Sequence, residues 1–314
     1  MDPIDEVLAA GLKEERDALR TALGTVGVWS FTLEAQTAAE EREASAVIES
    51  LGFGAIWFPE SVTSREVFSH GSWLLASTER AIVASGIANI WARDPVAMAN
   101  GWHMLTDAYP DRFLLGIGVS HAPSVERRGG SYERPWSTMR EYLDAMDRAA
   151  SSAPEPESEP RVVLAALGPR MLELAADRAL GAHPYFVPVE HTAFARQRLG
   201  QDPVLAVEQT VVLESDPSQA RRVARQFAVH YLQATNYANN LKRMGWTDAD
   251  LSGQGSDAVI DAVVAWGDVD KVVNRVRQHL DAGADHVCVQ VVSDDENDVC
   301  LPQLRELAPA LLEL

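Results

Sequence analysis

The sequence predicts a (β/α)8 TIM barrel, an α/β fold carrying insertions and an extra N-terminal helix. Three observations lead there. The apolar runs are continuous rather than alternating, which suits strands buried on both faces of a parallel sheet. Eight such runs alternate with helical patterns, the number a closed barrel needs. An open doubly wound sheet is the alternative, but its G-x-G-x-x-G would follow the first strand, and "GVWSFTLEAQ" has no such pattern.

The elements follow in order. An amphipathic helix over roughly 3–22 comes first, within an N-terminal extension of residues 1–24. A single barrel domain then spans 25–314. "GVWSF" (27–31) is its first strand. Thr37 opens a helix, with Glu40 three residues on as a capping box. "AIWFPE" (55–60) is the second strand and "AIVASGIANI" (81–90) the third. Asp94 and Pro95 are the N-cap and first residue of the next helix. "RFLLGIGV" (112–119), a helix over 135–150 and "RVVLAAL" (161–167) follow. The proline-rich "SSAPEPESEP" (151–160) between the last two reads as a surface loop. Then come a helix over 169–180, "GAHPYFV" (181–187), a helix over 189–199 and "VLAVEQTVVLE" (204–214). A long helical region from Asp216 to about Met244, a helix over 268–281, "HVCVQVV" (286–292) and a helix around 302–311 complete the chain.

Composition narrows the function. The 314 residues carry a net charge of −19, so the chain repels phosphate backbones and anionic lipid; neither nucleic acid nor membrane is expected as a partner. Two cysteines, Cys288 and Cys300, allow no disulfide framework and no zinc spacing, and they suit a reducing cytoplasm. No metal site is expected. No G-x-S-x-G elbow and no P-loop occur, which leaves hydrolase and kinase readings unsupported.

"FLLGIGVSHAP" (113–123) is the most informative stretch. A strand runs through Gly116 and Gly118 and ends at Ser120 and His121. The glycines either make a plain turn or let something approach the backbone. In a barrel the strand's C-terminal end is the functional mouth, so His121 belongs there. His70 is expected in the loop after strand two. His183 and His191 flank "PYFVPVE", where Tyr185 and Phe186 are candidate pocket walls.

At this point "ASGIANIWARDPVAMANGWHMLTDAYPDRFLLGIGVSHAP" resembles the pattern of luciferase-like flavoproteins and coenzyme F420-dependent oxidoreductases, nearest the F420 branch. Arg93, Asp94, Pro95, Asp111, Arg112, Phe113, Leu115, Gly116 and Gly118 stand at the pattern's positions. "GPRMLELAADRALGA" matches a later segment loosely, with Ala182 and His183 replacing the usual Asp-Gly. The resemblance implies a deazaflavin or flavin ring at the barrel mouth. It implies a cis peptide at Gly86–Ile87 behind that ring. Ala88 stands where relatives often have Thr, leaving Asn89 as a polar candidate. Gly116, Gly118 and Ser120 would give the ring access. The cofactor's anionic groups need local cations. Arg127, Arg128 and Arg134 in the loop after strand four, and Gly168, Pro169 and Arg170 at a helix start, are the candidates. His121 and Glu60 would form an acid–base pair, with Glu60 raising the histidine pKa; otherwise Glu60 holds a loop.

The expected activity is F420-dependent hydride transfer to or from a small organic substrate, in a homodimer. An FMN-dependent monooxygenase is the alternative, and a cofactor-free binding subunit is a second.

Overall fold

The computed structural model describes residues 3–314. Helix α1 (Pro3–Leu23) leads into strand β1 (Val26–Trp29). Helix α2 (Ala38–Ser50), strand β2 (Ala55–Phe58), helix α3 (Val67–Ala76) and strand β3 (Ile82–Ser85) follow. After a bulge at residues 86–87 the short β4 (Ala88–Asn89) continues that strand, and α4 (Pro95–Ala108) connects to β5 (Phe113–Gly118). Helices α5 (Ala122–Arg127) and α6 (Pro135–Met146) lie above and beside the sheet before β6 (Arg161–Leu164). Next come α7 (Pro169–Arg178), β7 (Gly181–Ala182), α8 (Val189–Leu199) and β8 (Val204–Val212). An excursion of α9 (Pro217–Gln233), α10 (Thr235–Arg243), α11 (Asp248–Leu251), α12 (Asp257–Val263) and β9 (Val264–Trp266) precedes the last unit. That unit is α13 (Val269–Asp281), β10 (His286–Val291) and α14 (Leu301–Leu311).

The strand pairings close the barrel. β10 lies parallel to β1, with Val26 opposite Val287, and parallel to β8, with His286 opposite Ala206. The ring β1-β2-β3-β5-β6-β7-β8-β10 therefore has no free edge, which rules out the open-sheet alternative. β4 adds to the upper end of β5, and β9 to the end of β8.

Local signals explain the helix starts. Thr37 and Glu40 make the capping box, and the Asp94 carboxylate accepts the Val96 and Ala97 N–H groups ahead of α4. α1 plugs the lower end of the barrel: Leu19 and Leu23 are fully buried in one cluster with Ala55, Ile82, Leu180 and Val204. The Arg16 guanidinium donates to the Ala176 and Ala179 carbonyls at 2.7 and 3.1 Å, so α1 is also tied to the end of α7.

The barrel interior is partly polar. Trp57 stacks on His183 with ring centroids 4.2 Å apart, and its indole N–H donates to His286 Nε2 at 3.1 Å. His286 Nδ1 donates in turn to the Gly24 carbonyl at 2.7 Å.

Two expectations need correction. The helical region from Asp216 to Met244 is two helices, because Ala234 adopts an extended conformation (φ −81°, ψ 121°). The turn redirects α10 so that Tyr237 reaches the barrel mouth. His70 lies within α3, not in a loop. Glu66 caps that helix, and His70 Nε2 bonds buried Glu41 at 2.5 Å, which takes it away from the mouth.

Candidate active site

A cavity of about 500 Å³ opens at the C-terminal ends of the strands. Trp29, Gly86, Ile87 and His183 form its floor. Val119, Ser120 and His121 wall one side, and Ala165 to Gly168 continue that wall after β6. Tyr185 and Tyr231 face them. Asn236, Tyr237, Asn239 and Arg243 reach over from α10 and its N-terminal turn. This is where barrel loops converge and where a small ligand is expected.

The bulge after β3 shapes the floor. The Gly86–Ile87 peptide is cis. Ser85 Oγ donates to the Gly116 carbonyl at 2.8 Å and accepts the Gly116 N–H at 3.0 Å. A Cβ on Gly116 would overlap the Ser85 carbonyl oxygen. One on Gly118 would stand 2.6 Å from Ile87 Cδ1 and 3.1 Å from Ala165 Cβ. Neither glycine lines the cavity, so the expectation that they open the backbone to a ring is corrected. They make room for the neighbouring bulge and for the Ile87 side chain. The turn itself falls at Ser120, which takes a left-handed conformation (φ +58°). Ala88 and Asn89 lie behind the floor, fully buried.

Glu60 and His121 both border the cavity, yet the acid–base pairing is corrected too. The Glu60 carboxylate is held by Arg93 through both oxygens, with Nη1 at 2.9 Å, and it accepts the Val67 and Asn89 N–H groups at 3.1 and 2.8 Å. It is a loop anchor. His121 answers instead to burial, which lowers its pKa, and to the Asn236 side chain, which opposes that shift. At neutral pH His121 is therefore a neutral imidazole. Its Nδ1 is buried without a partner.

The expected cations are mostly engaged or turned away. The Arg128 guanidinium donates to the Ser61 carbonyl at 2.9 Å, pinning the loop after β5 to the loop after β2. Arg170 lies over the Trp136 ring at 4.1 Å. Arg127 ends α5 on the surface, and Arg134 precedes α6 with a left-handed backbone. None of the four lines the cavity, and Pro169 does not either. Gly168 does. It stands at the N-terminus of α7, which no side chain caps. Arg243 is the lining cation that sequence reasoning missed. One of its guanidinium nitrogens comes within 3.8 Å of where a Gly168 Cβ would be.

The aromatic wall was also missed, apart from Tyr185. Tyr185 donates to Gln290 Oε1 at 2.8 Å, so the Tyr231 hydroxyl, 2.9 Å away, is the donor to Tyr185. Tyr237 stacks at a tilt 5.1 Å from His121. Phe186 supports this cluster from beneath, 4.8 Å from Tyr231. Burial raises all three tyrosine pKa values, so the hydroxyls stay protonated. The clue in the sequence was "TNYANNLKR", a helix whose tyrosine and asparagines are too polar for a buried stripe and too aromatic for a solvated one.

The model of the luciferase-like monooxygenase family matches residues 21–286. The chain belongs to that family. A 5,10-methylenetetrahydromethanopterin reductase of Methanolobus tindarius is 22% identical over 281 residues, which cover 76% of this chain and 86% of the reductase. Among solved structures, an F420-dependent secondary alcohol dehydrogenase, determined with an F420–acetone adduct, superposes with a TM-score of 0.72 at 15% identity, covering 91% of this chain and 98% of that one. The oxygenating constituent of 3,6-diketocamphane monooxygenase from Pseudomonas putida, in complex with FMN, gives a TM-score of 0.65 at 16% identity, covering 92% and 98%. The luciferase-like barrel is thus shared by proteins with either cofactor. Among the described residues no helix is long and apolar enough to cross a membrane, and no cluster of His, Cys, Asp or Glu is placed to hold a metal ion.

Proposed function

We propose that this luciferase-like protein is an F420-dependent oxidoreductase acting on a small organic compound. The observation that carries the reading is the cavity itself. Its lining is largely apolar and aromatic, and it includes Arg243. A ring flanked by Ile87, Val119 and the tyrosines would be shielded from water. Arg243 and the uncapped N-terminus of α7 at Gly168 would hold an anionic tail, which an acidic chain can hold only with local positive potential. The F420-dependent neighbour supports deazaflavin over flavin.

When bound, the cofactor supplies a ring carbon that gives or takes hydride. The protein supplies the rest. Arg93 and Glu60 fix the loop after β2. Ile87 backs the cavity floor. Tyr185 and Tyr231, tied to Gln290, keep one wall rigid. His121, a neutral imidazole on the cavity wall, takes the proton that a substrate hydroxyl releases as its carbon loses hydride, and returns it in the reverse direction. Screening the F420-loaded protein anaerobically against small alcohols and carbonyl compounds tests this. Loss or return of the deazaflavin absorbance with some substrate is expected. Turnover that requires FMN and consumes dissolved oxygen would instead favour the monooxygenase reading.

A further inference from the structure

Among the described residues Arg243 is the one lysine or arginine that lines the cavity, and no carboxylate pairs with it. The preceding Lys242 is paired with Asp248 at 2.5 Å. Arg243 is held by an amide instead: its Nη1 donates to Asn240 Oδ1 at 2.7 Å. A guanidinium can only donate, so the oxygen end of the amide faces it. Asn240 is 1% exposed and sits on the buried side of α10, whereas Asn236, Asn239 and Arg243 face the cavity. Its Nδ2 is buried without a partner. An apolar residue would fill so deep a position without leaving an amide N–H unsatisfied. The bond to Arg243 is the only one its side chain makes among the described residues.

The surroundings of Arg243 suit an anion. The Leu167 carbonyl, which would repel one, accepts from His191 Nε2 at 2.9 Å. Burial pushes the His191 pKa down to about 4, so that ring stays neutral beside the guanidinium. The Gly168 carbonyl accepts the Met171 and Leu172 N–H groups at 3.1 and 3.0 Å. Pro169 has no N–H, and the N–H groups of Gly168 and Arg170 have no acceptor among the described residues. Elsewhere at the mouth the chain holds an arginine with acids: Arg93 pairs with Glu60 and Glu66. A carboxylate at position 240 would hold Arg243 as firmly but cancel its charge.

We propose that Asn240 is the positioning residue of the anion site: its neutral amide fixes Arg243 beside Gly168 and leaves the guanidinium charge to a phosphate group of the ligand. Asn240 touches no ligand itself and acts through Arg243. This deepens the functional reading above, on which the identity of the phosphate's carrier as the cofactor rests.

Phenyl phosphate is a suitable probe, since its ring suits the aromatic wall and its phosphate the Arg243 end. Calorimetry on the full chain compares the parent with Asn240→Asp, which keeps the size and the acceptor but cancels the net charge. The variant should bind phenyl phosphate about tenfold more weakly, and its affinity should respond less to added salt. Benzyl alcohol, an uncharged counterpart, should bind both proteins alike. Phenyl phosphate affinities within about twofold of each other, or no saturable binding by the parent, would overturn the proposal. An equal loss for benzyl alcohol would make Asn240 merely structural and overturn it too. If Asn240→Asp does not fold, Asn240→Ala takes its place. Losing the holder should weaken phenyl phosphate about threefold or more and spare benzyl alcohol; unchanged phosphate binding would overturn the proposal. A parallel F420 titration separates the two readings. A charge-dependent loss of phenyl phosphate in a protein that does not bind F420 would sink the cofactor assignment and leave the role of Asn240 standing. F420 and phenyl phosphate bound equally by parent and variant would do the reverse.

Discussion

Arg93 grips both carboxylate oxygens of Glu60, and Glu60 in turn takes the backbone N–H groups of Val67 and Asn89. One carboxylate thus joins the start of α3, the strand after the bulge and the segment leading into α4. Glu60 is 7% exposed, and its side chain is better covered than that of Arg93. Glu60→Gln removes the charge that compensates Arg93. It should cost about 3–5 kcal/mol, the usual loss when one partner of a buried pair is removed. Urea unfolding measures this. A loss below about 1 kcal/mol would return Glu60 to the candidates for direct chemistry.

The β5 glycines should separate by mutation. At Gly116 an added Cβ meets backbone, the Ser85 carbonyl, which cannot move aside without unmaking the bulge. Gly116→Ala should destabilise by about 1–3 kcal/mol or more, as overpacking does. At Gly118 it meets the flexible end of Ile87, a cavity-lining residue. Gly118→Ala should fold more readily but bind cofactor more weakly. Identical behaviour of the two variants in unfolding and binding assays would contradict this division.

How much of this was legible in the sequence follows from where each signal resides. The eight apolar strands are local patterns, and each appeared near its expected place; the helix after the second strand, α3, stands where a loop was expected. The closure through β8 and β10 follows from their number. Side-chain partners are not local. Nothing in the spacing of Glu60 and Arg93 shows that they meet, because α3 and the bulge lie between them in sequence. Arg127, Arg128, Arg134 and Arg170 were plausible anion ligands by type, yet Arg128 turns to Ser61 and Arg170 to Trp136. Arg243 reaches the cavity only because Ala234 breaks a helix that periodicity alone would continue.

The anion-binding arrangement gives the next test. Arg243→Ala should weaken a phosphate-bearing cofactor by about 1.5–3 kcal/mol, the worth of a hydrogen bond to a charged group. Arg127→Ala, Arg134→Ala and Arg170→Ala should bind it like the parent. Equilibrium titration of the four variants checks this, and a ranking led by Arg170 would contradict it.

His121→Asn should leave cofactor affinity nearly unchanged and slow turnover by about 10²–10⁴-fold. Burial holds the His121 pKa below its ordinary 6.5. Substrate oxidation by the parent should therefore be level at neutral pH and fall only at pH below that value, as the accepting nitrogen becomes protonated. The variant's slower rate should lack this inflection. Steady-state rates across pH decide the point.

Acid should destabilise the fold. Burial pushes His183, His191 and His286 from 6.5 to about 4, and His279 to about 3. Between those values the unfolded chain binds protons that the folded chain does not, so stability falls as pH drops through the window. Each such histidine contributes about 1.4 kcal/mol per pH unit. Glu208 acts oppositely. Its carboxyl is raised from 4.5 to about 7, so the folded chain keeps a proton there and gains stability on acidification within that range. One group opposes four. Thermal melts should show Tm falling from pH 7 to pH 5; a constant or rising Tm would contradict the buried neutral histidines.

The proposed function requires the cavity above the bulge to receive a deazaflavin. The most direct measurement is a fluorescence titration of the purified protein with F420 and, separately, with FMN. Saturable quenching of F420 fluorescence is expected at a lower dissociation constant than FMN shows, with Arg243→Ala shifting the F420 curve to higher concentration. Tighter binding of FMN, or no saturable binding of F420, would contradict it.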